Sequence, residues 1–256
     1  LSAISRLSLL MLLLVGTLVM AIGIGAVPIG ARDVLDAAMG RGDQSTVSIV
    51  QNLRLPRVTL AALVGAGLAA SGATFQALLR NPLAEPYILG VSGGAAVGAV
   101  GAILLGFTAV AWAIPLAAFA GALVAILLVL RIAISVGGVM DTRVLLLSGV
   151  VVGAFFNACI LLALTFSDTE SFRSAMFWMM GSFSGATWRG SAILATYLLP
   201  ALLLLIALAR PLNLLSIGEE TAAYLGISLE RTKMLAFGTA SLLAASAVAV
   251  SGVIGF

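Results

Sequence analysis

Few side chains in this 256-residue sequence could take part in chemistry, and their types exclude most of it. There is no histidine and a single cysteine, Cys159, so the nitrogen and sulfur donors of a protein-built zinc site are missing. The single lysine, Lys233 in "LERTKMLAFG", follows no glycine-rich loop, and the phosphate-cradling pattern G-x-x-x-x-G-K-[ST] cannot be written anywhere. ATP hydrolysis is therefore not expected of this chain. The stretch "GAGLAA", Gly65 to Ala70, satisfies G-x-G-x-x-A, but that fingerprint works only as a turn between strand and helix, and here it lies inside an unbroken apolar run. Within such runs the chain offers little beyond Ser71, Asn157 and Ser251, too little for an intramembrane nucleophile or metal site. All ten acids fall in predicted connections, near 33–43, 85, 141, 168–170 and 219–230. That placement argues against the alternative of a secondary transporter coupled to ions through intramembrane carboxylates. No catalytic residue, cofactor site or metal site is expected.

The elements that position these few groups follow from composition. The chain is 62% hydrophobic and 9% charged, against roughly 45–50% and 25% in soluble domains, and its mean hydropathy is +1.21. Since a bilayer core needs roughly 20 apolar residues per helix, runs near 7–27, 57–79, 87–107, 110–131, 143–165, 191–209 and 232–252 predict seven spans. The alternation of a transmembrane barrel is absent, so the fold class is all-α, a polytopic transmembrane helical bundle organised as one domain over 1–256. The first run is too long for a signal-peptide core and lacks a small-x-small cleavage site, so it reads as a retained helix. A start at Leu1 rather than Met suggests trimming. Cys159 reads as a small buried hydrophobe. The net charge of +3 is scattered over loops, without the basic stripe of a nucleic-acid binder.

Placing the start of the first span in the cytoplasm makes 80–86, 132–142 and 210–231 cytoplasmic and 28–56, 108–109 and 166–190 external. Seven bases then fall inside and six outside, a weak orienting signal. Gly94/Gly98 and Gly149/Gly153 have G-x-x-x-G spacing, which lets helices approach closely in lipid. Asn157 lies one turn after Gly153 on the same face and must either line a polar cavity or bond to another helix. In "LLRNPLAEPYILG", Pro82 and Pro86 disfavour helix at Asn81 and Glu85, which predicts a stiff corner. In "LNLLSIGEETAAYLGISLERTK", Ser216 and Glu219 have capping-box spacing and Gly226 stands where a helix would end left-handed, predicting one short helix over 217–225. Arg54 and Arg57 flank Pro56 at the external start of the second span and, from the residues alone, read as interfacial anchors.

"LRLPRVTLAALVGAGLAASGATFQALLRNPLAEPYILGVSGGAAVG", Leu53 to Gly98, resembles the permeases of type II ABC importers for ferric siderophores, haem and cobalamin. "DTRVLLLSGVVVGA", "MFWMMGSFSGATWRG", "IGEETAAYLGI" and the terminal "VSGVIGF" resemble later landmarks of that family in the same order. The resemblance implies a ten-helix permease of the inner (cytoplasmic) membrane. It further implies a second permease copy forming a homodimer, two cytoplasmic ATPase subunits and a periplasmic substrate-binding protein. By this resemblance Asn81 and Leu83, with Asp141 and Thr142, match the cytoplasmic gate. Gly218, Glu219, Glu220, Ala222, Tyr224, Leu225 and Gly226 match the segment that couples to the ATPase, within the cytoplasmic stretch 210–231. Gly153 and Asn157 would line the pathway, and Arg54 and Arg57 would dock the binding protein. The gate pair elsewhere in the family is often two small hydroxyl residues, from which Asp141 departs. "LAASGA" (Leu68 to Ala73) recurs loosely as "VAVSGV" (Val248 to Val253). The second to fifth spans are therefore expected to recur from the seventh onward as an inverted repeat, with on the order of 80–90 further residues completing the second copy.

Overall fold

A computed structural model describes residues 2–137 and 141–254, and every regular element among them is helical. Residues 138–140, within the expected connection 132–142, and the last two residues of "VSGVIGF" lie outside the described residues. Contacts gather into two compact units, Leu1–Leu63 with Phe183–Ile193 and Val64–Ser182 with Leu194–Phe256.

The first unit contains α1 (Ala3–Gly23), α2 (Ala31–Ala38), α3 (Gln44–Ser48) and a π-helical turn (Ile49–Arg54) that runs into α4 (Leu55–Leu79). The expected connection 28–56 is thus largely helical, and helix continues from Gln44 to Leu79. The wide turn has a local cause. Pro56 has no N–H to donate and its ring crowds the carbonyl one turn back. The backbone loosens just before it, Leu55 N–H donating to Val50 O rather than to the usual partner four residues back. Asp43 caps α3 by accepting from Ser45 and Thr46 N–H.

The second unit holds the rest of α4, α5 (Val91–Leu104), α6 (Ala113–Gly137), α7 (Thr142–Thr165), α8 (Thr169–Met179), α10 (Ala209–Ile217), α11 (Glu219–Tyr224) and α12 (Leu229–Ser251). The remaining helix, α9 (Trp188–Ala207), has the unit boundary within it, as α4 does. Among the described residues six helices are long and apolar enough to cross a membrane, and the third expected span is the exception. Its first turn is taken by a 3-10 helix, Pro86–Leu89, leaving α5 with 14 residues, about 21 Å of helix. An 11-residue helix, α8, occupies the expected external connection, capped by Asp168 on Glu170 and Ser171 N–H.

α12 is the centre of this unit, with 61% of its apolar window buried. Ser71 on α4 donates to Ala240 O at 2.8 Å, and Phe75 meets Phe237 edge-on at 5.8 Å. The pairing of 71 with 240 and 75 with 237 shows that α4 and α12 run antiparallel. Both glycine pairs pack as their spacing predicts. A Cβ on Gly98 would lie 2.0 Å from Ala117 O, and one on Gly94 2.4 Å from Gly121 O, so α5 and α6 touch backbone to backbone. Two of the sequence landmarks also meet, since a Cβ on Gly252 would fall 2.4 Å from Trp178 O and Ser182 N–H donates to Ser251 O.

Gly98→Ala should therefore cost about 1–3 kcal/mol through overpacking against rigid backbone. Gly101→Ala, with nothing within 4 Å, should gain about 0.4–1 kcal/mol by restricting the unfolded chain. Thermal unfolding of the two purified variants in detergent checks the opposite signs.

Candidate functional site

The polar corner begins where α4 ends. Arg80 adopts φ +48°, the only non-glycine residue with positive φ among the described residues. The turn closes with Asn81 N–H donating to Gln76 O at 3.2 Å, the six-to-one bond of a Schellman motif. Asn81 Oδ1 accepts from Leu83 N–H at 3.0 Å, and Asn81 O accepts from Ala84 N–H at 3.0 Å. Glu85 is extended, as a residue before proline should be. Ala84, Pro86 and Leu89 are buried while Leu83, at the tip, is 81% exposed. The corner rests on α7: a Cβ on Gly149 would lie 2.6 Å from Ile88 O, and Gly90 approaches the backbone of Gly153. Gly153 is therefore half-buried against the corner.

Asp141 caps α7, its carboxylate accepting from Arg143 N–H at 2.8 Å and Val144 N–H at 3.4 Å. These two backbone donors, with smaller contributions from the Arg143 and Lys233 cations, hold the carboxyl below its ordinary range. Because the folded pKa is lowered, the stabilisation is complete above the ordinary carboxylate pKa and is lost as pH falls through the lowered value. The departure from a small hydroxyl residue thereby has a physical reading, since Ser, Thr and Asp are all good N-caps. Thr142 is half-buried beside it. Asn157, farther along α7, is exposed and makes no hydrogen bond among the described residues, on a face shared with the exposed Val150 and Leu161. The interhelical hydrogen bond left open by the sequence does not form among the described residues.

The expected capping box over 216–219 does not form. α10 continues through Ile217, so the Ser216 hydroxyl donates back to Asn213 O at 2.7 Å, and Gly218 takes the cap position without a side-chain bond. The following helix is correspondingly shorter than 217–225, covering Glu219–Tyr224. It ends as expected at Gly226, φ +81°, with Ile227 N–H donating to Ala222 O. Glu219 turns away from its own helix. Its Oε2 lies 2.6 Å from Lys233 Nζ and its Oε1 3.3 Å from Arg80 Nη2. Ala222 is wholly buried, whereas Glu220, Leu225 and Tyr224, the last 92% exposed, face outward.

Within the first unit, Arg54 and Arg57 separate in role. Arg54 Nη1 donates to Ile22 O at 2.7 Å and Gly23 O at 2.9 Å, and its Nη2 to Val27 O, so the guanidinium closes the carbonyl end of α1. Gln51, from the same π turn, donates to Ala37 and Ala38 O at the end of α2. Arg57 is exposed and makes no ion pair or hydrogen bond among the described residues. Both arginines line a cavity of about 520 Å³ whose other walls, including Leu53, Val58 and Phe183, are mostly apolar. The attachment of Arg54 to α1 and the pairing of Lys233 were not among the sequence expectations. The one available signal was a lone lysine at the edge of an apolar run.

Replacing Asp141 with Ala should lower the unfolding temperature of the purified chain, whereas Asp141→Ser should preserve it, because the hydroxyl takes over the cap. Thermal unfolding at neutral pH distinguishes the two.

Comparison with known proteins accords with this arrangement. The model of the FecCD transport family matches residues 12–256. The chain is 40% identical over 222 residues to an uncharacterized ABC transporter permease protein of Bacillus subtilis, YvrB, covering 86% of this chain and 63% of that protein. It is 42% identical over 219 residues to the vitamin B12 import system permease protein BtuC of Escherichia coli, covering 84% and 66%. With the cobalamin import system permease protein BtuC of Halobacterium salinarum it shares 45% identity over 208 residues, covering 81% and 56%. The chain thus spans less than two thirds of the length of these relatives. A solved structure described as an inward-facing, metal-chelate type ABC transporter superposes with a TM-score of 0.85 at 32% identity, covering 98% of this chain and 77% of the other. With that family's model matching residues 12–256, the chain belongs to the FecCD transport family.

Proposed function

We propose that this chain forms the membrane-spanning pathway of an ATP-driven importer, as one of two permease copies in the inner membrane, for cobalamin or an iron chelate such as a ferric siderophore or haem. Family membership carries the reading. ATP chemistry belongs to two cytoplasmic ATPase subunits, in keeping with a sequence that has no phosphate-cradling loop. A binding protein delivers the substrate from the periplasm.

In this reading α11 is the element that seats in the ATPase, with Gly218, Glu219, Glu220, Ala222, Tyr224, Leu225 and Gly226 forming the contact segment. Its division into one buried face, at Ala222, and one exposed face, at Glu220 and Tyr224, supports that assignment. Asn81 and Leu83 on the corner, with Asp141 and Thr142 at the start of α7, act as the cytoplasmic gate. The close backbone packing of the corner on Gly149 and Gly153 favours corner and α7 moving together. Asn157 presents its unpaired amide to the pathway between the two copies, beside Gly153. Continuation of the second to fifth spans as an inverted repeat from α12 onward would complete the pathway wall.

The reading is tested by reconstituting permease, ATPase and binding protein in liposomes and offering cyanocobalamin, ferrichrome and haemin in turn. Uptake of one of them that requires ATP is the expected result, and uptake driven by an ion gradient without ATP would overturn it. Ala222→Pro removes the Ala222 N–H to Gly218 O bond and costs about 3 kcal/mol in a helix interior, so it should separate hydrolysis from uptake while membrane insertion persists. Tyr224→Ala, a surface change worth less than about 0.5 kcal/mol to stability, should weaken ATPase binding on the same grounds without touching the fold.

Docking of the binding protein is assigned to the cavity between Arg54 and Arg57, where guanidinium groups would receive a carboxylate. Arg54→Glu with Arg57→Glu should weaken docking more at low salt than at high salt. Arg57→Glu alone should reproduce most of the loss, because Arg54 is already engaged by the end of α1. Binding isotherms at two ionic strengths check this, and equal affinity for the doubly reversed permease at low salt would leave both residues as anchors.

A further inference from the structure

The cluster around Glu219 joins three elements that lie far apart in sequence. Lys233, near the start of α12, has a side chain only 7% exposed, and a buried ammonium stays charged only if it is paired. One oxygen of Glu219 meets it at 2.6 Å. The other oxygen meets Arg80 at 3.3 Å, with 30% of the Glu219 side chain and 44% of the Arg80 side chain exposed. The two arms differ in kind. The Lys233 arm is short and reaches a buried cation, whereas the Arg80 arm is longer, open to solvent and easily screened.

Arg80 itself carries a second signal. It is the C-terminal residue of a helix-ending motif whose left-handed conformation favours glycine, and glycine holds every other positive-φ position among the described residues. A side chain is kept where the backbone is better served without one, and that side chain reaches Glu219. Backbone strain of this sort persists where something else depends on it.

Resting on the assignment of α11 to the ATPase contact, we propose that Arg80 and Glu219 form a latch that makes the corner 81–90 follow α11, with Glu219 as the positioning residue anchored to α12 through Lys233. Displacement of α11 pulls the carboxylate, the carboxylate pulls Arg80, and Arg80 leads directly into the corner. The weak exposed arm is the one that can open when α11 is drawn too far, leaving α11 attached to α12.

The test uses the permease assembled with its ATPase in nanodiscs and requires no transported ligand. Spin labels are placed at Glu85→Cys on the corner and Ala223→Cys on α11, in a Cys159→Ala background. Their separation is measured without nucleotide and with Mg-ATP and vanadate. The latch requires an unchanged distance in the parent and a shift of about 2 Å or more between the two states in Arg80→Gly, the scale of interfacial helix shifts. Arg80→Lys should return the distance to the parent value, because it restores the cation. Arg80→Gly puts the favoured residue in the left-handed position, so its thermal stability should not fall, which separates a lost latch from a damaged fold. Equal distances in Arg80→Gly and the parent, or a distance that already shifts in the parent, would overturn the latch. If Tyr224→Ala weakens ATPase binding while Arg80→Gly changes nothing, the latch alone fails. If Tyr224→Ala binds the ATPase as the parent does, the assignment of α11 fails and takes the latch with it.

Discussion

A chain in hydrocarbon has no water to satisfy its amide and carbonyl groups, so every departure from helix must bring its own hydrogen-bond partners. The scarce polar side chains of the protein are used at the helix ends, where free N–H and C=O groups gather at the edges of that medium. Asn81 closes the corner after α4 by accepting from Leu83 N–H. Asp43, Asp141 and Asp168 satisfy the free N–H groups at the starts of α3, α7 and α8. Gln51 and Arg54 satisfy carbonyls at the ends of α2 and α1. Several of the residues singled out for function thus have a structural task as well, and the corner is stiff because its bonds are local and complete.

Once the backbone is satisfied, the helices gain little from hiding apolar surface from lipid and must be held by close packing. Small residues provide it. α12, with its alanine- and serine-rich sequence "TASLLAASAVAVS", takes the buried centre, and α5 and α6 approach until Gly94, Gly98 and Gly121 meet carbonyl oxygens. The same device seats the corner on α7 through Gly90, Gly149 and Gly153. Contacts of this closeness have little room to slide, so motion is more readily borne at the looser joints: the Arg80 end of α4, the break at Leu208 and the glycine turns on either side of α11.

Legibility followed the range of the interactions involved. The long apolar helices, the close-packed glycine pairs, the extended Glu85 before Pro86 and the left-handed Gly226 were all readable, because each is determined by residues within a turn or two. The capping box at Ser216 failed for an equally physical reason. Its spacing is a local pattern, but α10 runs on through Ile217 and holds the hydroxyl, while Glu219 is claimed by Lys233 on the next helix and by Arg80, 139 residues earlier. Arg54 was legible as a base near an interface and not as the cap of α1, because its acceptors lie 27 to 32 residues upstream. The helices over 44–54 and 169–179 were not legible because neither stretch is by itself an apolar run of bilayer length.

The attachment of α1 bears on how the protein is made. None of the apolar window of α1 is buried among the described residues, so this helix can settle in lipid before the helices that follow it are made. Its last carbonyls then wait for a guanidinium that is synthesised about thirty residues later, at a ribosomal pace of roughly 5–20 residues per second. The attachment of Arg54 to the end of α1 can therefore form only after the π turn before α4 has been synthesised.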